Sequence, residues 1–285
     1  MGSYLRPADL YEALAALAAG EITIVAGGTD FYPARVGRTI MENLLDLSAL
    51  SALRGIVDKG DRYEIGACTT WTDLIESDLP ACFDGVKLAA REVGGVQIQN
   101  AGTVAGNICN ASPAADGVPP LMALDAKVRL ASRQGEREVA LADFITGNRK
   151  TVRRPDELVT AIVVPKCDAG ARATFVKLGA RRYLVISIVM AGFVVEPDQN
   201  GRVARARISV GACAPVARRL AKLERALVGR VLDAQLGEIA DQTHLRDALA
   251  PIDDIRATAD YRWDACVTVL RRGLNELGAK LGAAR

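Results

Sequence analysis

The alternation of hydrophobic and polar positions predicts a helix followed by a strand at the start of the chain. Leu10, Leu14 and Leu17 repeat at helical spacing, with Pro7 near the beginning of this segment and Gly20 directly after its end. The apolar run ITIVAG comes next and is typical of a buried strand. A second short apolar run, NLLDL, follows it.

Turn residues between apolar runs predict two hairpins further along. The sequence KGD at residues 59–61 separates two β-rich runs, and QG at residues 134–135 separates two others. The run ELVTAIVVP predicts a strand that ends at Pro165. Two helices are expected between the hairpins, one beginning near Trp71 and one over residues 86–93.

The stretch between these helices and the second hairpin has little periodicity. Residues 94–120 read GGVQIQNAGTVAGNICNASPAADGVPP, which is rich in glycine, asparagine and serine. Its valine, isoleucine and alanine content argues against disorder, and ordered loops of this length are usually functional. We therefore expect a long functional loop here.

The pattern changes after about residue 170. Three strands are predicted as ATFVKL, VISIVMAGFVVE and VARARISVGACA, with PDQNG as the turn between the last two. Three helical patterns follow, PVARRLAKLERALVG, VLDAQLGEIADQT and ATADYRWDACVTVLRRGLNELGAKL. Strands and helices in separate blocks indicate an α+β fold, and the change of composition at residues 165–172 predicts a domain boundary.

Composition and charge exclude several classes of protein. Lysine and arginine (36) nearly balance aspartate and glutamate (34), which gives no reason to expect a nucleic-acid partner. We expect no membrane span and no signal peptide. The six cysteines are scattered and suit reduced thiols in the cytoplasm, and we predict no metal site in this chain. The single histidine, His244, is expected to face solvent on a surface helix.

The first chemical signal is IVAGGTDFYP, which we call the first glycine segment (residues 24–33). Adjacent glycines allow positive φ and close approach, and the backbone N–H groups of such a turn, with the Thr29 hydroxyl, can form an anion site. The order of residues does not match the G-x-G-x-x-G pattern of a dinucleotide-binding Rossmann domain, and Pro33 interrupts a following helix. A plain tight turn remains the alternative for this segment alone.

The second signal is NAGTVAGNICNASPAAD, the second glycine segment (residues 100–116). It holds small and hydrogen-bonding side chains within a short distance, namely Gly102, Thr103, Gly106, Asn107, Asn110, Ser112 and Asp116. A cofactor bound in an extended conformation needs such a surface. The backbone must approach the cofactor closely, amides must bind its phosphate oxygens, and an acid must accept from one of its hydroxyl groups. Two segments favour a cofactor site over two structural loops. We predict no catalytic side chain, so the cofactor must supply the chemistry.

The two segments, in this order and separation, resemble the FAD-binding subunit of the molybdenum hydroxylases, the family of xanthine dehydrogenase, carbon monoxide dehydrogenase and aromatic hydroxylating dehydrogenases. AGGTDF is similar to the first FAD loop of that family, and QIQNAGTVAGNICNASPAAD is similar to the second. The similarity continues through DELVTAIVVP, FVKLGARRYLVISIV and RATADYRWDACVTVLRRGL, so it covers nearly the whole chain.

The resemblance implies an α+β fold with two domains. An FAD-binding domain of vanillyl-alcohol-oxidase type would occupy residues 1–168, with subdomains over about 1–53 and 54–168. A C-terminal domain, a three-stranded sheet with helices, would occupy residues 169–285.

The resemblance also implies which residues bind FAD without a covalent bond. Those expected to wrap the pyrophosphate are Ile24, Val25, Ala26, Gly27, Gly28, Thr29, Asp30 and Phe31. Those expected to hold the phosphates or ribityl chain from the other side are Thr103, Gly106 and Asn107. Asp116 would accept from a cofactor hydroxyl, Val159 would pack near the flavin or adenine, and Lys177 would point its ammonium group toward the cofactor. The family usually has two glycines where this chain has Ala105-Gly106, and Phe31 stands where a smaller aliphatic residue is common.

As an activity, the resemblance implies an oxidoreductase subunit that passes electrons through FAD to an acceptor. A large partner subunit would hold molybdopterin and a small one would hold [2Fe-2S] clusters, in a dimer of heterotrimers. Residues 117–158 contain no cysteine, which argues against the benzoyl-CoA-reducing subtype with its additional iron-sulfur cluster. Two alternatives stay open: a free-standing flavoprotein oxidase of the vanillyl-alcohol type, and an adaptor that has lost its cofactor.

Overall fold

The computed structural model describes residues 2–283, and the predicted domain limits at Met1 and Arg285 lie outside them. The first sheet is parallel, with strands β1 (Tyr4–Leu5), β2 (Thr23–Val25) and β3 (Leu44–Asp46) in the order β1-β3-β2. Helix α1 (Leu10–Ala19) joins the first two strands. Its N-cap is Asp9, whose side chain accepts from the Glu12 N–H and satisfies a free donor of the first turn.

The second sheet has five strands in the order β4-β5-β10-β6-β7. Their bounds are β4 Ile56–Asp58, β5 Arg62–Gly66, β6 Lys127–Ser132, β7 Gly135–Ala140 and β10 Leu158–Pro165. Both predicted hairpins are confirmed, because β4 pairs with β5 and β6 with β7 in antiparallel register. The predicted strand ending at Pro165 is the central strand of this sheet.

The predicted long loop over residues 94–120 is wrong in form, since most of it is helical. It contains α4 (Val96–Ala101), α5 (Val104–Asn110) and α6 (Val118–Ala123). The expected helices before it are present as α2 (Trp71–Glu76) and α3 (Asp84–Glu92). Helices of six or seven residues are shorter than two turns, which is too short for the apolar period to be visible in sequence.

A short segment connects the second hairpin to the central strand. It consists of α7 (Leu141–Phe144) and a small antiparallel pair, β8 (Ile145–Gly147) and β9 (Lys150–Thr151). Phe144 is fully buried against the five-stranded sheet and its helices. The turn between β8 and β9 lies beside the end of α5.

The third sheet is antiparallel, with β11 (Arg172–Leu178), β12 (Val189–Pro197) and β13 (Val203–Gly211) as its long strands. The sequence predicts three strands here, but the sheet has a fourth, because β14 (Arg218–Arg219) pairs with the edge of β13. Two residues at an edge carry no period of their own. They lie inside a segment whose pattern predicts a helix.

The three helical patterns after this sheet have different outcomes. The first contains α8 (Ala221–Leu227), and the last is α9 (Ala259–Ala283). The middle one is wrong, because it forms only the 3₁₀ turns Leu236–Ile239 and Gln242–His244. The prediction that His244 faces solvent on a surface helix is also wrong, since its side chain is only 19% exposed and the residue lies in a 3₁₀ turn.

Helix α6 lies between the two larger sheets and packs on the third. A methyl group added at Gly192 in β12 would lie 2.5 Å from the backbone of Pro120 in α6. The side chains of Trp71, Phe83 and Phe144 are fully buried in the cluster that surrounds the five-stranded sheet, each contributing about 1.5–3 kcal/mol relative to exposure. Within residues 2–283, no helix combines the length and apolar character that a membrane crossing requires.

Candidate functional site

The first glycine segment leaves β2 and runs directly against the second. A methyl group added at Gly27 would lie 1.9 Å from the carbonyl oxygen of Ala101, at the end of α4. One added at Gly102 would lie 3.2 Å from the Thr29 hydroxyl. The two segments that the sequence predicts as parts of one site are therefore in contact through their backbones.

Gly28 is required for a different reason. Its φ is +67°, which a residue with a Cβ rarely adopts, and the ring of Tyr32 would lie 2.5 Å from an added methyl group. Tyr32 is itself 45% exposed and covers this glycine from the outside. The chain thus makes a tight turn at Gly28 and then continues with Phe31, whose ring lies 3.7 Å below the guanidinium of Arg35.

Thr103 begins α5 and fixes the second glycine segment. Its hydroxyl accepts from the Gly106 N–H at 3.0 Å, which caps the helix. Gly106 is exposed, whereas Ala105 is buried in the core. The departure from two glycines is accommodated in this way, since the Ala105 methyl group faces the interior and the glycine remains on the open side.

Asn107 carries an unpaired acceptor. Its Oδ1 is buried and receives no hydrogen bond from residues 2–283. A methyl group at Gly117 would lie 3.0 Å from this oxygen and 2.4 Å from the ring of Trp71. Trp71 donates its backbone N–H to the carbonyl oxygen of Gly102, and its ring lies against Gly117, directly after the second glycine segment. A buried amide oxygen without a partner calls for a donor from outside the chain.

Asp116 and Lys177 form a buried ion pair. Lys177 Nζ donates to Asp116 Oδ2 at 2.7 Å, and Ser187 Oγ donates to Asp116 Oδ1 at 2.6 Å. Both side chains are almost covered, with 6% of Lys177 and 11% of Asp116 exposed. Burial raises the pKa of Asp116 above its ordinary value, while Lys177 and Ser187 oppose that shift. The pair connects the end of the second glycine segment with β11.

A cavity opens beside this pair, between α3 and β11. Its volume is about 410 Å³, and Glu92, Phe175, Lys177 and Arg181 are among the residues that line it. Lys177 thus binds the buried carboxylate and is also one of the residues beside the cavity. Val159 lies elsewhere, in β10, where it is 4% exposed in the core. A contact of Val159 with a cofactor stays a prediction.

Several site residues escape sequence reasoning. Arg149, in the turn between β8 and β9, donates from Nη1 to Asp30 Oδ2 at 2.8 Å and also to Asn110 Oδ1. Trp71 and Ser187 contribute the contacts described for them. A single arginine in a turn and a single serine before a strand give no local signal, and only the fold brings them to the two glycine segments.

Known families match both parts of the chain. The family described as "FAD binding domain in molybdopterin dehydrogenase" matches residues 1–167, which is more than half of the sequence. The chain belongs to this FAD-binding family of the molybdopterin dehydrogenases. The family described as "CO dehydrogenase flavoprotein C-terminal domain" matches residues 174–277.

Relatives of this flavoprotein family are similar over nearly their whole length. The xanthine dehydrogenase FAD-binding subunit of Escherichia coli O157:H7 is 30% identical over 98% of this chain and 97% of its own. The carbon monoxide dehydrogenase medium chain of Afipia carboxidovorans is 30% identical over 97% and 96%. A chain of the reconstituted CO dehydrogenase from Oligotropha carboxidovorans has a similar structure, with a TM-score of 0.90, 29% identity and 98% coverage of each chain.

The residues of the site fit FAD, the cofactor of the family. The glycine segments offer backbone that can approach phosphates closely, at Gly28 and at the exposed Gly106. The buried Asn107 Oδ1 lacks a donor, and FAD carries hydroxyl and amide donors. The flavoprotein is the FAD-bearing part of an oxidoreductase, and the chemistry of electron transfer belongs to the cofactor.

Proposed function

We propose that this chain is the electron-transfer subunit of a heteromeric molybdenum hydroxylase. Electrons from [2Fe-2S] clusters of a small partner would pass to FAD on this chain and then to an acceptor. The observation that carries the proposal is the direct contact between the two glycine segments in a chain of this family. When bound, FAD supplies reversible uptake and release of electrons, which no side chain of this site can supply.

The two glycine segments are proposed to hold the pyrophosphate and ribityl parts of FAD. The residues assigned to the first contact surface are Ile24, Val25, Ala26, Gly27, Gly28, Thr29, Asp30 and Phe31, and those assigned to the second are Thr103, Gly106 and Asn107. The open backbone at Gly106 and the unpaired oxygen of Asn107 support this assignment. Thr103 acts through its cap, which sets the direction of the first N–H groups of α5.

Asp116, Lys177 and Val159 are proposed to line the remaining part of the FAD site. A carboxylate has two oxygens and room for four donors, so Asp116 can accept from a cofactor hydroxyl while it binds Lys177 and Ser187. The Lys177 ammonium group would place a positive charge near the cofactor and favour its reduced, anionic form. The cavity beside Lys177 supports this placement.

The domain arrangement is proposed to follow the sequence boundaries. An FAD-binding domain over residues 1–168 would consist of two subdomains, about 1–53 and 54–168, of the vanillyl-alcohol-oxidase type, and residues 169–285 would form the C-terminal domain. The separate parallel sheet of β1 to β3 and the five-stranded sheet support two subdomains. The gap between the two family matches, at residues 167 and 174, supports the boundary.

The partners are proposed to be a large molybdopterin-binding subunit and a small [2Fe-2S] subunit, in a cytoplasmic dimer of heterotrimers. Relatives named as medium chains and FAD subunits support this, since those names describe one chain of several. Substrate oxidation would then take place on the large partner. This chain would determine only how electrons leave the complex.

Purification of the tagged chain from the organism that encodes it tests this function. We expect two further chains, one large and one small, and bound FAD, iron and molybdenum in fixed ratio to the chain. When the substrate of the complex reduces the iron-sulfur clusters, bleaching of the flavin absorbance should follow. A yellow chain that purifies alone and oxidises a small alcohol would instead establish a free-standing oxidase, and a colourless chain that takes up no FAD would establish an adaptor.

A further inference from the structure

Arg149 adopts a backbone conformation that arginine seldom takes. Its φ is +58°, in the left-handed region that favours glycine. Its N–H donates to the carbonyl oxygen of Ala111 at 2.9 Å, and Ala111 is itself left-handed, with φ of 49°, where it ends α5. Two left-handed residues therefore meet through one hydrogen bond. Such conformations persist where surrounding contacts hold them, and they concentrate at functional sites.

The Arg149 side chain contacts both glycine segments. Its Nη1 donates to Asp30 in the first glycine segment and to Asn110 in the second. The two segments are far apart in sequence, and one guanidinium contacts both of them. The segments are thus joined by two separate contacts, the backbone packing of Gly27 on Ala101 and the side chain of Arg149.

We propose that Arg149 is a positioning residue that holds the two glycine segments at the spacing required for FAD. This inference rests on the proposed function of those segments. A role in overall stability does not account for the contact, because Arg149 and Asp30 are 53% and 55% exposed, and exposed pairs contribute little to folding. An exposed pair can nevertheless set the width of a site, since Asp30 and Arg149 both lie in turns, whose positions no strand pairing fixes.

Three variants test the role of the Arg149 side chain separately from that of its backbone. Arg149→Ala removes the guanidinium, while Arg149→Gly removes it and also relieves the left-handed backbone. The charge swap Asp30→Arg with Arg149→Asp restores an ion pair, and aspartate tolerates the left-handed region better than most residues. Lys222→Ala is the matched control, because it removes a similarly exposed ion pair, with Asp247, in the C-terminal part of the chain.

The measurement is the dissociation constant of FAD for the full chain, obtained by titrating FAD into protein stripped of flavin. We expect Arg149→Ala to raise this dissociation constant about tenfold at unchanged melting temperature, because FAD must then order two segments that the arginine no longer holds. Arg149→Gly should raise it equally, with a melting temperature that is unchanged or higher because its left-handed backbone is relieved. The swapped pair should bind FAD more tightly than either of its single substitutions, Asp30→Arg or Arg149→Asp, and Lys222→Ala should bind FAD as the wild type does. In the assembled enzyme, saturating FAD should restore the turnover of the Arg149 variants.

Three results overturn the inference, each in a distinguishable way. If the wild type binds FAD and both Arg149 variants bind it equally well, Arg149 has no positioning role and the proposed function stands. If the wild type binds no FAD under conditions in which it is folded, both proposals fail together. A charge swap that binds FAD no better than the single substitutions also contradicts the role of the ion pair.

Discussion

Asp116 is the most constrained charged residue of the site. Its side chain is 11% exposed, and its two carboxylate oxygens accept from Lys177 and Ser187. Removing one member of a buried ion pair is more damaging than removing both, because the remaining charge is left without a partner in a medium of low dielectric constant. We therefore expect substitution of this residue to affect both stability and FAD binding.

We predict that Asp116→Asn lowers the free energy of unfolding by about 3 kcal/mol, since Lys177 loses its counter-ion. The same substitution should weaken FAD binding by about 1–3 kcal/mol, which is the effect of an unsatisfied hydrogen-bond partner. Urea unfolding and FAD titration measure the two effects separately. The double variant Asp116→Asn with Lys177→Met should recover part of the stability but not the affinity. Wild-type values for Asp116→Asn in both assays would remove this residue from the site.

At the scale of elements, the site depends on how closely β2 and its following turn approach the end of α4. A methyl group added at Gly27 would lie 1.9 Å from the carbonyl oxygen of Ala101. It has no room, because the atoms that it would meet, in Ala101 and Gly102, belong to the backbone. The segments must separate to accommodate it. The spacing between them is therefore sensitive to a single carbon atom.

We predict that Gly27→Ala reduces FAD affinity by at least about tenfold while the C-terminal sheet and α9 remain folded. Gly147→Ala is the control, because its methyl group would meet only the Lys150 side chain, at 3.8 Å. Equilibrium FAD binding and circular dichroism of both variants provide the measurement. Full flavin occupancy of Gly27→Ala would show that the contact with Ala101 does not set the site.

Elements with strong local signals could be predicted from the sequence, and the others could not. The hairpins around residues 59–61 and 134–135 are encoded by turn residues, and α9 by a long apolar period. The short helices over residues 96–123 lack such a period. The two glycine segments, which the structure brings into contact, could be recognised in the sequence through Gly27, Gly28 and Thr103. The contacts of Arg149 could not, because its partners are brought to it by tertiary structure alone.

At the scale of the whole molecule, Asp125 joins the FAD-binding part to the C-terminal part. It follows α6 and binds Arg205 at 2.9 Å, Arg219 at 2.6 Å and Arg207 at 3.7 Å, all three from the C-terminal sheet. Arg207 is only 4% exposed and also donates to the carbonyl oxygen of Ala123. A network of three arginines on one carboxylate fixes the position of this sheet beside α6.

We predict that Asp125→Asn lowers the free energy of unfolding by about 1 kcal/mol, since Arg207 and Arg219 each lose one carboxylate partner but keep a second, Glu196 and Glu224. Asparagine tolerates the φ of 54° at this position, so the backbone is preserved. Asp247→Asn, in an exposed pair with Lys222, should change stability by less than about 0.5 kcal/mol. Equal stabilities of the two variants in urea would mean that the network does not hold the two parts together.

The measurement that tests the central claim most directly is a comparison of FAD with FMN as ligands of the flavin-free chain. Both carry the flavin ring and the ribityl chain, but FMN lacks the adenosine and the pyrophosphate bridge, and that bridge is the part that the glycine segments are proposed to hold. The account predicts one FAD per chain and binding of FMN that is about 100-fold weaker or more, from the loss of several hydrogen bonds. Equal affinity for FMN and FAD, or no binding of either, would contradict it.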